Sequence, residues 1–148
     1  LAAVKILLKE KLLSYPDVHC RLICDSLPHL KRLKADSFRS ILCAQTLHYL
    51  KPKDFETALA RFHELLKKDG TLYITMGSPY LEVYQGFADE YAKRFAAGDR
   101  FPGYMEDVKR WHPQGIGHNL GFFLFFDPVA LERIVSEFGF KVQRSFFF

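Results

Sequence analysis

Residues 37–75 read SFRSILCAQTLHYLKPKDFETALARFHELLKKDGTLYIT, and the order of patterns in this stretch decides the fold class. Residues 40–44 (SILCA) form a short apolar run without alternation, the pattern of a parallel strand covered on both faces. Over 54–67, Phe55, Ala58, Leu59, Phe62, Leu65 and Leu66 fall on one helical stripe. Pro52 and Asp54 mark its start, Lys67 and Lys68 suit the negative end of its dipole, and Gly70 suits a left-handed cap. Residues 71–76 (TLYITM) then read as a strand. Strand, helix and strand with short connections make a βαβ unit, which predicts a parallel sheet with a right-handed crossover.

Outward from this unit the patterns are weaker. Upstream, residues 1–13 place Leu1, Val4, Leu8 and Leu12 at helical spacing, Tyr15-Pro16-Asp17 is a turn, and 18–24 (VHCRLIC) reads as a short strand followed by a loop at Asp25-Ser26-Leu27-Pro28. Downstream, 80–98 has a helical pattern weakened by Gly86. Residues 99–119 are rich in Gly, Pro and aromatics without periodicity, as in a long functional loop. Residues 120–126 suit a strand. Asp127-Pro128 opens a further helix as N-cap and first helical residue, Leu131, Ile134, Val135 and Phe138 form its stripe, and Gly139 ends it. Residues 140–147 then read as a last strand.

The chain has 148 residues, which suits one domain or a large piece of one; 49% are hydrophobic, including 15 Phe, and 26% are charged, so a packed core is within reach. No run approaches the roughly 20 apolar residues of a membrane helix. The opening LAAVKILLKEKLL has lysines at helical spacing and reads as an amphipathic helix rather than a signal peptide. Its first residue, Leu1, points to a missing natural N-terminus. The net charge of +4 is spread along the chain, which argues against a nucleic-acid partner. Cys20, Cys24 and Cys43 sit in apolar segments and read as buried, reduced thiols of a cytoplasmic protein; without a CxxC pair or a His cluster, no metal site is expected.

Several of these phrases resemble class I S-adenosylmethionine-dependent methyltransferases. Thr46-Leu47-His48-Tyr49-Leu50 resembles the phrase after that family's fourth strand, and Leu65-Leu66-Lys67-Lys68-Asp69-Gly70 the end of the following helix. Cys24-Asp25-Ser26-Leu27-Pro28 resembles the acidic loop after the third strand, and FDPVALERIVSEFGFKV (126–142) the late helix with its Gly-Phe ending. The resemblance covers about 1–78 and 125–148. It implies an α/β fold with a doubly wound, mostly parallel, Rossmann-like sheet, and a single domain over 1–148 with a lid or substrate loop at about 78–120.

The resemblance also implies a cofactor, S-adenosyl-L-methionine, and cofactor contacts from Asp25, Ser26, Leu27, Ala44, Gln45, Thr46 and His48. Ligands of open parallel sheets bind outside the carboxyl ends of strands. There an aspartate accepts from the adenine amine, and the Ser26 N–H donates to a ring nitrogen. The same residues also suit plain turn and helix-capping roles. No catalytic residue is assigned, because an activated methyl group asks mainly for positioning. His112 and His118 suit either a general base or ordinary loop positions, and Tyr80, Tyr84, Tyr91 and Tyr104 either a pocket or the core.

Where the family carries a Gly-rich loop and an acidic residue, this chain has no counterpart before Asp25, nor a seventh strand after Phe148. The expectation is therefore an incomplete domain that binds cofactor weakly or not at all by itself and self-associates, as a homodimer, through exposed sheet edges. Methyl transfer to a small molecule is the activity implied. The alternatives are a methyltransferase acting on nucleic acid or protein, for which Lys93, Arg94, Arg100, Lys109 and Arg110 would form a basic groove, or a non-catalytic module that kept the fold.

Overall fold

The computed structural model describes residues 19–84, 86–113 and 121–147. The first helical pattern at 1–13 and the histidine at 118 lie outside them. Strand β1 (Phe38–Ala44) pairs in parallel with β2 (Leu66–Thr75), and helix α1 (Pro52–Leu65) connects them. The expected βαβ unit is therefore present, in an α/β fold. Pro52 starts α1 without losing a backbone bond, because first-turn amides have no helical partner. Its stripe of Phe55, Ala58, Leu59, Phe62 and Leu65 is buried.

The helix ends sooner than its pattern suggests. Leu66 turns extended (φ −73°, ψ 140°) and begins β2, so Lys67 and Lys68 lie exposed on the strand rather than at the helix terminus. Asp69 takes the left-handed conformation expected of Gly70, with φ 61°. Gly70 serves by close approach instead. A Cβ there would meet the Lys67 carbonyl oxygen at 2.8 Å and that of Arg39 at 3.3 Å. The ladder slips at this point: Phe38 pairs with Leu66, and regular pairing runs from Ser40↔Thr71 to Ala44↔Thr75.

Helix α2 (Phe87–Ala96) starts seven residues later than the 80–98 pattern, behind Gly86 at φ 74°. Two short strands follow, β3 (Tyr104–Met105) and β4 (Phe123–Leu124), paired antiparallel; only these two residues of the expected 120–126 strand form a ladder. Helix α3 (Pro128–Glu137) begins as the Asp-Pro pair indicates: Asp127 Oδ1 accepts from the Ala130 amide at 2.7 Å. Gly139 closes it at φ 84°.

One core joins all of this, from Cys43, Leu47, Phe55, Leu59 and Phe62 to Phe87, Tyr91, Met105, Phe123–Phe126, Ile134 and Val135. It covers one face of the β1–β2 sheet. On the other face the register partners Leu42 and Tyr73 are 70% and 53% exposed. Apolar character along β1 thus did not mean burial on both faces, and among the described residues no helix covers the second one.

Three expectations fail. Residues 19–24 and 140–147 form no strand; an apolar run becomes a strand only beside a partner ladder, and these have none among the described residues. Cys20 and Cys24 are exposed for the same reason, and only Cys43 is buried. No described helix is long and apolar enough to cross a membrane, and no described group of His, Cys, Asp and Glu could hold a metal.

Candidate functional site

Four of the seven candidate residues gather at the carboxyl end of β1. Ala44 ends the strand, and the Gln45 amide extends the ladder to the Thr75 carbonyl at 2.8 Å. Gln45 itself has φ 49°, a left-handed conformation that turns the chain sharply off the sheet. Thr46 Oγ donates back to the Ala44 carbonyl at 2.8 Å, and a 3-10 turn over Leu47–Tyr49 follows. Leu47 is buried completely and anchors that turn. Burial pushes the Cys43 thiol up, partly offset by a hydrogen bond with Thr46.

His48 is 93% buried, and its surroundings are aromatic. Ring centroids lie 4.1 Å away at Tyr49, 5.8 Å at Phe123 and 6.1 Å at Phe125. Tyr84 continues this wall, 5.4 Å from Phe125 and 6.0 Å from His112. Burial raises the Tyr84 phenol, and the nearby Tyr49 phenol adds to this. Just past β2, a Cβ at Gly77 would meet the Phe125 ring at 2.5 Å. So the strand ends open onto a wall of rings whose polar groups are two phenols and two imidazoles. Phe123 and Phe125 escaped sequence reasoning, since nothing local ties them to residues 44–48.

The other three candidates lie on a loop tied to the far end of the same unit. Asp25 accepts from the Ser26 amide at 2.9 Å and from the Arg32 amide at 2.6 Å. The Arg32 amide holds the Asp25 carboxyl below its ordinary range; burial opposes this, and the Ser26 amide adds to the lowering. The loop returns on itself through Leu30 N–H to the Ser26 carbonyl at 3.0 Å. Leu27 is half-buried against the core. Further on, the Asp36 and Ser37 amides donate to the Glu64 and Leu65 carbonyls of α1's last turn, 2.9 and 3.0 Å away. This loop therefore leads into the amino end of β1, whereas 44–48 leave its carboxyl end, and no hydrogen bond described here joins the two groups.

Between loop and strand lies an apolar groove of about 250 Å³, lined by Leu30, Leu33, Phe38, Ile41, Leu42 and Phe62 among others. The basic residues at 93–110 are largely engaged. Arg94 pairs with Glu90 at 2.8 Å and donates to the Tyr104 carbonyl at 2.8 Å. Arg100 bridges Glu56 at 2.8 Å and Glu137 at 2.7 Å, and Arg110 lies 4.9 Å above the Trp111 ring.

Compared with known families, residues 3–74 match the model of a methyltransferase domain. No curated protein and no solved structure matches the chain. The match takes in the Asp25 loop, β1, the turn after it with His48 and Tyr49, α1 and nearly all of β2, and stops short of Tyr84, Phe123 and Phe125.

Proposed function

With residues 3–74 matching the model of a methyltransferase domain, we propose that this protein transfers a methyl group from S-adenosylmethionine to a small molecule. Methyl transfer as such follows from the family; the donor, the acceptor class and the residues are our reading. The observation that carries it is the carboxyl end of β1, where the chain turns off the ladder after the Gln45 amide and brings His48 against a wall of rings. Ligands of α/β sheets bind at that place.

By its chemistry the donor set suits the cofactor, although the Asp25 loop leads into the amino end of β1 and residues 44–48 leave its carboxyl end. Asp25 is anionic at neutral pH and has lone pairs left beyond its two backbone donors, so it can accept from an amine. The Ser26 amide is already engaged by Asp25, so its contact to an adenine ring would have to share that donor. Leu27 and the neighbouring apolar groove offer a dry surface for a flat ring. Ala44, Gln45, Thr46 and His48 would hold the opposite, amino-acid end. When bound, S-adenosylmethionine supplies a methyl group activated by its positive sulfur. The chain's part is to orient the acceptor in line and exclude water.

Tyr49, Tyr84, Phe123 and Phe125 favour an acceptor with an apolar, flat face over a polyanion. The doubly wound Rossmann-like sheet, the lid role of 78–120 and association through the bare sheet face around Leu42 and Tyr73 belong to the same proposal. So does a cytoplasmic location, which suits free thiols at Cys20, Cys24 and Cys43.

Titration with S-adenosylhomocysteine up to millimolar, followed by backbone amide shifts, tests this reading even where affinity is low. Both groups, 25–27 and 44–48, should shift together and saturate, and Asp25→Ala should weaken binding about tenfold, the scale of one charge-assisted hydrogen bond. Saturation without effect at either group would leave a different ligand site, and no shifts at all would favour a non-catalytic module.

A further inference from the structure

We propose that Arg61 is a positioning residue: from helix α1 it holds the loop that carries Asp25, Ser26 and Leu27 in its binding conformation. This rests on the cofactor reading above. Arg61 lies beside the buried stripe of α1 rather than on it, and its side chain is 19% exposed. One end of the guanidinium, Nη2, donates to the carbonyls of Leu33 at 2.6 Å and Leu30 at 3.3 Å, while Nη1 pairs with Glu64 at 2.7 Å. These carbonyls belong to residues 28 and 31 positions earlier, so the contact is a tertiary clasp. The Arg61 Nε is buried without a hydrogen-bond partner among the described residues. The arrangement therefore leaves a donor unmet in order to reach the loop.

The loop needs such a clasp. Leu30 has φ 44°, a conformation that is unfavourable for a bulky residue and persists only when its surroundings hold it. Its amide donates to the Ser26 carbonyl, its carbonyl accepts from Arg61, and two residues on the Arg32 amide donates to Asp25. A chain of bonds thus runs from Arg61 through Leu30 and Leu33 to the residues that orient the Asp25 carboxylate. Leu30 and Leu33 also line the apolar groove, so the same clasp shapes its wall. Only a planar guanidinium spans two carbonyls and a carboxylate at once; a lysine ammonium is a single point of charge.

The test compares the chain with Arg61→Met, which keeps the apolar stem, and with Arg61→Lys. Two measurements are made: hydrogen exchange at the Ser26 and Arg32 amides without ligand, and S-adenosylhomocysteine affinity by amide shifts. In Arg61→Met, exchange at both amides should accelerate about tenfold and affinity should fall by a similar factor. Amides of the β1–β2 ladder should keep their protection, which separates a loop effect from general loosening. Arg61→Lys should likewise leave the β1–β2 ladder protected but not restore the affinity, and it serves alone if Arg61→Met does not fold. Unchanged exchange, or faster exchange with wild-type affinity, overturns the proposal while leaving the methyltransferase reading intact. Failure of the unaltered chain to bind overturns both.

Discussion

The βαβ unit of residues 38–75 and the aromatic half from 76 to 147 are built by different rules. The first is regular: a parallel ladder, a helix with one buried stripe, and short joints. The second has a ladder only two residues long and is held by rings: Phe123 stacks on Phe125 at 5.3 Å, Phe87 meets Trp111 edge-on at 5.3 Å, and Tyr91 stacks on Phe95 at 6.1 Å. The two meet where Phe55 of α1 lies 5.0 Å from Phe126. The contrast teaches that the matched segment and much of the candidate site's wall come from separate parts of the chain. The match to the methyltransferase domain model ends at residue 74, and of the rings facing His48 only Tyr49 lies within it, while Phe123 and Phe125 come from beyond it.

The junction should show the largest effect. Phe55 is fully buried and belongs to both halves, so Phe55→Ala should cost about 4 kcal/mol in a denaturant titration, as large-to-small core changes do. A loss under about 1 kcal/mol would mean that the halves do not share a core. Gly103→Ala should come next and strike the aromatic half alone. A Cβ there would meet the Phe125 carbonyl oxygen at 1.8 Å, and Gly103 and Phe125 are already hydrogen-bonded at 3.0 Å. Backbone cannot swing aside as a side chain can, so a loss of about 3 kcal/mol is expected. Near-ultraviolet circular dichroism should weaken more than the far-ultraviolet signal, and equal weakening of both would contradict the division.

Smaller effects sharpen the comparison on the side of the regular unit. Leu42→Gln on the bare sheet face should change stability by about 0.5 kcal/mol or less. Light scattering should nevertheless show weaker self-association, since an exposed apolar face drives it. A large loss of stability would show that this face is covered in solution. The smallest effect is at Asp25, whose carboxyl is held below its ordinary value of 3.8. A lowered value in the folded chain means that Asp25's contribution is full above that ordinary value. It is lost as pH falls through the lower, folded one. The Arg32 amide shift should therefore titrate with a midpoint below 3.8, and a midpoint at or above it would mean that Asp25 and Arg32 are not bonded in solution.

Legibility follows the same division. Helix α1 was legible because Phe55, Ala58, Leu59, Phe62 and Leu65 repeat at helical period, and α3 because Asp127 and Pro128 are a capping pair whose chemistry is local. The boundary at Leu66 was not, because Leu-Lys-Lys suits a helix end as well as a strand start, and pairing with Phe38 decided it. Of the candidate site, Asp25, Gln45, Thr46 and His48 were visible as polar residues after apolar runs. Arg61 was not: an arginine on an amphipathic helix looks solvated until the loop 28 to 31 residues away is seen against it.

What the sequence determined by itself is therefore whatever a short window contains: the strand–helix–strand order of 38–75, the start and end of α3, and the phrases by which 3–74 match the model of a methyltransferase domain. Tertiary structure decided which apolar runs became strands. Residues 40–44 found a partner in β2, while 19–24 have none among the described residues. It also decided that Leu42 faces outward, that Phe123 stands beside His48 and Tyr84 beside Phe123, and that Arg61 reaches Leu33. The physical reason is common to all of these. Helical periodicity and capping are satisfied within a few residues. Strand pairing, ring packing and a clasped loop need partners brought from far along the chain, and only the folded core brings them together.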